Sequence, residues 1–251
     1  MKALSIYSGG CDGLSLAASW CGIETVAYCE ADEACRAVLA ARHPDKPIFH
    51  IDEEVATDAM RARGIEPRDV DIILASPPCQ CASVAGMRLG SADGRNRWPE
   101  CLRIVRDVAP RWFMAENVCG LLSVDDGRLF GGILRELAAL GYDARWCVYG
   151  AVDVGAHHER ERLCLVANTD GFVGKERDRV YEKYHRTVQR ALKENSFRGL
   201  GEISGAGKSG ALNGVSGRVD RLTMLGNAVV PQWACVVLAA IKEIDDVCWR
   251  A

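Results

Sequence analysis

The sequence predicts an α/β protein built on a doubly wound, mostly parallel sheet. Short apolar runs that suit buried strands alternate with helix-like segments along most of the 251 residues. Two runs, within 70–75 and 111–115, are mostly apolar, which is typical of parallel strands covered on both faces. A chain of this length can bury a full core. We therefore expect one large domain with at most a small insert.

A βαβ unit opens the chain. Residues 3–7 form an apolar strand, residues 13–21 a helix with Leu14, Leu16 and Ala17 on one side, and residues 25–29 a second strand. The further signals are strand 70–75, helix 99–108 ended by Pro110, strand 111–115, helix 128–140 ended by Gly141, and strands 144–149 and 162–167. This alternation indicates the doubly wound topology.

The composition changes after Ala167. Residues 170–217 lack strong periodicity and are rich in Arg, Lys, Gly and Ser, so we place a small separate region at 169–217. A helical pattern begins again at Pro231, a residue that suits a first helical turn. We expect residues 1–168 and 218–251 to form the main domain together.

The charge is nearly balanced but unevenly distributed. The formal net charge is -3, which gives no global signal for nucleic-acid binding. The first part of the chain is acidic, whereas residues 171–221 carry eleven basic and six acidic residues, and residues 88–112 carry six arginines and three acids. Local basic surfaces suit contact with phosphates, although basic runs are more often plain solvated surface.

Cysteine usage indicates a reducing compartment. Of the twelve cysteines, several lie inside apolar runs, as Cys21, Cys29, Cys147, Cys164 and Cys235 do. This favours reduced core thiols over a disulfide framework. No Cys-x-x-Cys spacing occurs, so we expect no metal site. Without a signal-like or membrane-length apolar segment, we expect a cytoplasmic protein that does not contact membranes.

A glycine-rich turn follows the first strand. Its sequence, Ser8-Gly9-Gly10-Cys11-Asp12-Gly13, approximates Gly-x-Gly-x-x-Gly with serine at the first position, and such turns let a ligand approach the backbone at a helix N-terminus. Glu30 ends the second strand, where an acid that binds ribose hydroxyls belongs. Together these features fit a nicotinamide dinucleotide or S-adenosylmethionine equally well.

A cysteine and a carboxylic acid follow the two apolar strands. Cys79 comes directly after Pro77 and Pro78, and Glu116 follows the second run. Both residues then lie at the carboxyl edge of the sheet. The pair suits covalent attack on an electron-poor ring, with the acid protonating the ring as the thiolate adds. The structural alternatives are a core thiol and an acid that caps the next turn.

With these residues assembled, the chain resembles the cytosine-5 DNA methyltransferases, particularly their compact bacterial and bacteriophage members. The resemblance rests on six blocks that follow the family's order along residues 4–231. They are Ile6-Tyr7-Ser8-Gly9, Glu30, Pro78-Cys79-Gln80, Glu116-Asn117-Val118, His158-Glu159-Arg160-Glu161-Arg162, and Arg221-Leu222 leading to Gly226-Asn227-Ala228-Val229-Val230-Pro231.

The resemblance implies a Rossmann-like sheet of the S-adenosylmethionine-dependent methyltransferases, with a small irregular target-recognition lobe. Cys79 would be the nucleophile that adds to carbon 6 of cytosine. Glu116 would hold and protonate ring nitrogen 3, and Arg162 would bind the carbonyl oxygen at carbon 2. Arg160 would support the loop after Cys79 or the backbone. Methyl transfer to carbon 5 would leave S-adenosylhomocysteine as the product.

The resemblance also implies a set of cofactor contacts. These are Tyr7, Ser8, Gly9, Gly10, Gly13, Glu30, Ala31, Asp52, Pro78, Asn227 and Val229, with Glu53 as an alternative to Asp52. The turn departs from the family pattern because Asp12 stands where glycine is usual and the turn is one residue longer. The expected partner is double-stranded DNA with its target base flipped out. We further expect a monomer with a cognate restriction endonuclease in the same system.

Three alternatives remain open at this point. A tRNA cytosine-5 methyltransferase of the same fold would carry a similar Pro-Pro-Cys-Gln loop. A catalytically silent homologue could hold DNA or a partner subunit without turnover. A nicotinamide oxidoreductase is the most remote reading of the glycine-rich turn.

Overall fold

The computed structural model of the protein describes residues 1–78, 93–154, 159–169 and 228–249. These residues form a seven-stranded sheet with helices, as the α/β prediction requires. The strands are β1 (Lys2–Ile6), β2 (Glu24–Cys29), β3 (Ile48–Phe49), β4 (Ile72–Ala75), β5 (Trp112–Asn117), β6 (Tyr142–Tyr149) and β7 (Arg162–Thr169). The α-helices are α1 (Gly13–Trp20), α2 (Glu33–Arg42), α3 (Thr57–Ala62), α4 (Trp98–Val108), α5 (Arg128–Ala139) and α6 (Pro231–Trp249).

The strand order is β3-β2-β1-β4-β5-β7-β6. The five strands from β3 to β5 are parallel, whereas β7 runs antiparallel to both β5 and β6. The order reverses between β1 and β4, and in open α/β sheets ligands bind at such a switch point, outside the carboxyl ends of the strands. The topology therefore places the functional site at the ends of β1, β4 and β5.

Two hydrophobic cores cover the two faces of the sheet. Alternate residues of β4 fall into different cores, with Ile73 among residues of α4 and α5, and Ile72 and Leu74 among residues of α1 and α6. Side chains of successive strand residues point to opposite faces, so a strand buried on both faces must be apolar at every position. This explains why β4 and β5 could be identified in the sequence.

The predicted elements are confirmed with ends shifted by a few residues. Trp98 and Trp112 lie in the core, with 2% and 3% of their surface exposed. The sequence interpretation did not identify α2, β3 and α3. Helix α2 buries only Cys35 and Leu39, and β3 is two residues long, so neither carries a strong apolar period.

Helix α6 packs against α1 on one face of the sheet. Asp245 on α6 is fully buried, and it accepts hydrogen bonds from the Arg111 guanidinium at 3.0 and 2.9 Å and from the Trp112 indole at 3.0 Å. This contact ties the helix to the start of β5.

Within the described stretches, no helix has the length and hydropathy needed to span a bilayer. The region predicted at 169–217 lies, apart from Thr169, outside the described residues.

Candidate active site

A cavity of about 360 Å³ opens at the carboxyl ends of the central strands. It gathers most of the residues that the sequence singled out. Those lining it are Tyr7, Ser8, Gly9, Gly10, Gly13, Glu30, Ala31, Pro78, Glu116, Arg160, Arg162 and Val229. Cys79 and Asn227, each next in the chain to a described residue, lie outside the described residues.

The glycine-rich turn is fixed by the acid at the end of β2. The Glu30 carboxylate accepts one hydrogen bond from the Gly9 amide at 2.7 Å and another from the Asp32 amide at 2.8 Å. Gly9 has φ +65°, and nothing lies within 4 Å of the position that a Cβ would occupy there. Each Glu30 oxygen keeps a second lone pair. The turn therefore leaves room for a ligand next to an acid that can still accept hydroxyl hydrogen bonds.

Asp52 lies behind this turn and is not among the residues that line the cavity. Its carboxylate accepts a hydrogen bond from the Tyr7 hydroxyl at 2.5 Å and binds the Arg97 guanidinium, which also contacts Glu53. These contacts raise the pKa of Arg97, with the Asp52 hydrogen bond as the main cause. Burial is the main reason why the pKa of Tyr7 is also raised. Asp52 thus supports Tyr7, and its direct contact with the cofactor stays a prediction.

Asp12, the departure from the family pattern, closes the turn as the residue before α1. Its φ of 48° lies in the left-handed region, which glycine adopts more easily. The side chain is buried, with the nearest carboxylate oxygen 3.3 Å from Nε2 of His43. Burial raises the pKa of Asp12 to about 7 and lowers that of His43. The acid therefore points into the protein beneath the turn.

Glu116 provides the acid of the site. It is 5% exposed near the end of β5, where its Oε2 accepts a hydrogen bond from the Ser76 hydroxyl at 2.7 Å. Its Oε1 lies 3.0 Å from Nε of Arg162 on the neighbouring strand β7. Burial raises the pKa of Glu116, although Ser76 and Arg162 oppose the rise. The protonated form is thus more accessible than for an exposed glutamate.

Two further polar side chains of the cavity hold backbone segments. Asn117 donates a side-chain hydrogen bond to the Pro77 carbonyl at 3.0 Å, two residues before Cys79. Arg160 donates to the Ala228 carbonyl at 2.6 Å and so joins the start of the last described segment to the cavity wall.

Sequence reasoning missed the roles of Ser76 and Asn117. Asn117 stood inside the quoted Glu116-Asn117-Val118 block and Ser76 directly before Pro77, and their positions just beyond the two apolar strands were the available signal. Their partners depend on the strand pairing, which the sequence did not specify. Among the described residues, no group of three or more His, Cys, Asp or Glu side chains could hold a metal ion.

Comparisons with known proteins agree with this geometry. The family model described as C-5 cytosine-specific DNA methylase matches residues 1–209. The type II methyltransferase M.AquIA of Picosynechococcus sp. is 30% identical over 181 residues, covering 68% of this chain and 73% of that protein. M.NgoPII of Neisseria gonorrhoeae is 32% identical over 168 residues, covering 66% of this chain but only 47% of that protein.

Solved structures share the fold. Spodoptera frugiperda DNMT2, solved as a triple mutant, matches 69% of this chain and 51% of its own chain, with TM-score 0.55 and 22% identity. The Entamoeba histolytica methyltransferase EhMeth matches 70% of this chain and 55% of its own, with TM-score 0.55 and 16% identity. The chain therefore spans about half the length of these two structures.

Proposed function

The chain belongs to the C-5 cytosine-specific DNA methylase family, and on that premise we propose that it transfers a methyl group from S-adenosylmethionine to carbon 5 of cytosine in double-stranded DNA. The observation that carries the proposal is the buried Glu116–Arg162 pair, which shares one cavity with the Gly9 turn and Glu30. Activation of the cytosine ring requires an acid, and methyl transfer requires a bound cofactor close to that ring. A cavity that contains both the acid and the cofactor turn meets these two requirements.

The residues present suit S-adenosylmethionine. Glu30 would accept hydrogen bonds from the ribose hydroxyls, and the open space at Gly9 would admit the ligand close to the backbone. Val229 and Asn227 would cover the ligand from the C-terminal side. When bound, the cofactor supplies an electrophilic methyl group and leaves as S-adenosylhomocysteine.

Glu116 would act as the acid that activates the ring. Carbon 5 of cytosine is a poor nucleophile until a nucleophile adds at carbon 6, and protonation of nitrogen 3 lowers the barrier to that addition. Burial favours the protonated carboxyl group that this step needs. Arg162 would bind the oxygen at carbon 2 while it holds Glu116 in place.

Cys79 would be the nucleophile. Its thiolate would add to carbon 6 as Glu116 gives its proton to nitrogen 3. After methyl transfer, water would take the proton from carbon 5, the thiolate would leave carbon 6, and nitrogen 3 would return its proton to Glu116. Asn117 supports this role because its amide holds the Pro77 carbonyl just before Cys79. A base in a duplex cannot present its ring to this thiolate, so the target cytosine would be flipped out at a cost of a few kcal/mol.

The proposal is tested by incubation of the protein with tritiated S-adenosylmethionine and mixed-sequence duplex DNA. We expect label at carbon 5 of cytosine in the DNA and none in tRNA. Label in tRNA alone would establish a tRNA methyltransferase instead. Absence of label from both, under conditions where the cofactor binds, would contradict the proposal.

A covalent trap tests Cys79 separately. Duplex DNA that contains 5-fluorocytosine has no proton to lose from carbon 5, so the adduct should persist and slow the protein on a denaturing gel. Cys79→Ser should abolish the adduct, whereas Cys81→Ser, the same change two residues away, should retain it. DNA binding without an adduct in any variant would indicate a catalytically silent module.

The type II relatives also motivate a place in a restriction-modification system. The protein would then protect its host from a cognate endonuclease that cuts at the same sequence. Bisulfite sequencing of DNA from an expressing host would identify that sequence. The methylated DNA should resist an endonuclease encoded beside the protein.

A further inference from the structure

Ser76 lies directly beyond the end of β4, next to the acid of the active site. The parallel pairing of β4 and β5 aligns Ala75 with Ala115, so the following residues, Ser76 and Glu116, lie side by side. The Ser76 amide donates to the Ile6 carbonyl at 3.3 Å, which holds this residue from the β1 side. Its hydroxyl donates to Oε2 of Glu116 at 2.7 Å.

The Glu116 carboxyl group therefore has one partner on each oxygen. Ser76 binds Oε2 from β4, and Nε of Arg162 lies 3.0 Å from Oε1 on the β7 side. The Ser76 hydroxyl makes the directed hydrogen bond to this group, because Oε1 lies within ion-pair distance of Arg162 but has no hydrogen bond of its own among the described residues. Arg162 alone would not fix the direction of the acid.

We propose that Ser76 is a positioning residue that holds the Glu116 carboxyl group in the orientation required for proton transfer to the bound base. This inference rests on the proposed function, because it assumes that Glu116 is the acid. Arg162 would place a positive charge next to Glu116, and Ser76 would fix the orientation of the Glu116 carboxyl group.

A hydroxyl group suits this position because it can both donate and accept. It donates to Glu116 when the carboxyl group is ionised, and it can rotate to accept when the group is protonated. Donation to the ionised form lowers the pKa of Glu116 and so opposes the rise caused by burial. Ser76 thereby keeps the acid from holding its proton too tightly to release it.

The test compares Ser76→Ala with Ser76→Thr, which keeps the hydroxyl group. In Ser76→Ala the loss of a hydrogen bond to the charged form should raise the pKa of Glu116 by about one unit. Only protonated Glu116 is active. In a plot of kcat against pH, the alkaline limb should therefore shift to higher pH by the same amount. We also expect kcat at the optimum to fall about tenfold, with KM for the cofactor unchanged and kcat largely restored in Ser76→Thr.

A purely structural role would lower kcat without moving the alkaline limb, and that result would overturn the proposal. Equal defects in Ser76→Thr and Ser76→Ala would also overturn it. Thr25→Val, which removes a buried hydroxyl group from β2, is the control for general loss of packing and should leave the limb in place. If Ser76→Ala does not fold, Ser76→Gly removes the same hydroxyl group with a smaller side chain.

A measurement without turnover separates this inference from the proposed function. Carbon-13 NMR of glutamate labelled at the carboxyl carbon gives the pKa of Glu116, with Glu116→Gln used to assign the resonance. A higher pKa in Ser76→Ala than in the wild type supports the Ser76 contact even if no methylation is found. An unchanged pKa overturns the inference even if the wild type methylates DNA.

Discussion

Nε of Arg162 lies 3.0 Å from Oε1 of Glu116, and this contact joins the first residue of β7 to the acid of β5. The antiparallel pairing of the two strands aligns Glu116 with Cys164 and Asn117 with Leu163, which brings the start of β7 to the carboxyl end of β5. The antiparallel strand β7 thus places the Arg162 guanidinium at the carboxyl end of the parallel strand β5. If β7 ran parallel to β5, its first residue would lie at the opposite edge of the sheet.

Replacement of Glu116 by glutamine should abolish most of the methyl transfer. The amide has nearly the same shape but no acidic proton, so we expect kcat to fall about 10²- to 10⁴-fold while the affinity for the cofactor stays within about twofold of the wild type. Single-turnover kinetics and calorimetric titration measure the two quantities. Glu161→Gln, at an exposed neighbour, is the matched control and should keep wild-type kcat. Wild-type turnover in Glu116→Gln would exclude this residue as the acid.

Removal of the Asp245 charge should destabilise the whole domain. Asp245→Asn would remove a fully buried negative charge, while the partly exposed Arg111 keeps its ion pair with Asp71, so we expect a cost of about 1–3 kcal/mol. Urea unfolding measures the free energy of unfolding. Asp246→Asn, at the next position of α6, weakens a partly exposed ion pair with Lys242 and should cost less than about 0.5 kcal/mol. Equal costs for the two variants would contradict this account.

Much of the architecture could be predicted because β4 and β5 are apolar on both faces. Such runs are visible in one sequence, and the polar residues that follow them identify the edge where the site forms. Glu30 could be placed in the same way, since it ends β2 at a fixed spacing from the Gly9 turn. The elements between β2 and β4 were missed because α2 and α3 lie against the protein with few buried side chains.

The contacts that set the chemistry could not be predicted. Ser76 reaches Glu116 across 40 positions of the chain, and Arg111 reaches Asp245 across 134. Such pairs depend on the register of the paired strands and on where the last helix packs against the sheet. Local sequence patterns encode neither. Asp52 illustrates the same limit, because its buried carboxylate is bound by Arg97 rather than turned to the cavity.

Gly13 should not tolerate even an added methyl group. A Cβ at this first residue of α1 would lie 2.4 Å from the Val229 carbonyl oxygen, closer than packed atoms approach. Gly13→Ala should therefore displace Val229 from the cavity, with a loss of about 1–3 kcal/mol in unfolding free energy and weaker cofactor binding. Gly131→Ala within α5 is the control, since its Cβ meets only a side-chain end at 3.7 Å. That variant should be stabilised by up to about 1 kcal/mol, and equal behaviour of the two would refute the steric explanation.

The buried Asp12 should make the protein less stable as the pH rises. Burial raises its pKa in the folded state to about 7 from a usual value of 3.8, so the folded protein binds a proton more tightly than the unfolded chain does. The stability that this proton confers is complete below about pH 4 and is lost as the pH rises to about 7. Neighbouring groups that act on Asp12 are His43, Arg42, Tyr28 and Ser15, and replacement of Asp12 alone leaves them in place.

Asp12→Asn removes this titration and keeps a residue that accepts the left-handed backbone. At pH 8 the variant should exceed the wild type in unfolding free energy by on the order of 2 kcal/mol, and the gain should shrink towards pH 5. Asp32→Asn is the control, because the Cys35 amide holds the pKa of Asp32 below its ordinary value of 3.8, so its difference from the wild type should stay constant between pH 5 and pH 8. Urea unfolding at pH 5, 6, 7 and 8 measures both series. A constant difference between Asp12→Asn and the wild type across this range would show that Asp12 ionises normally in the folded protein.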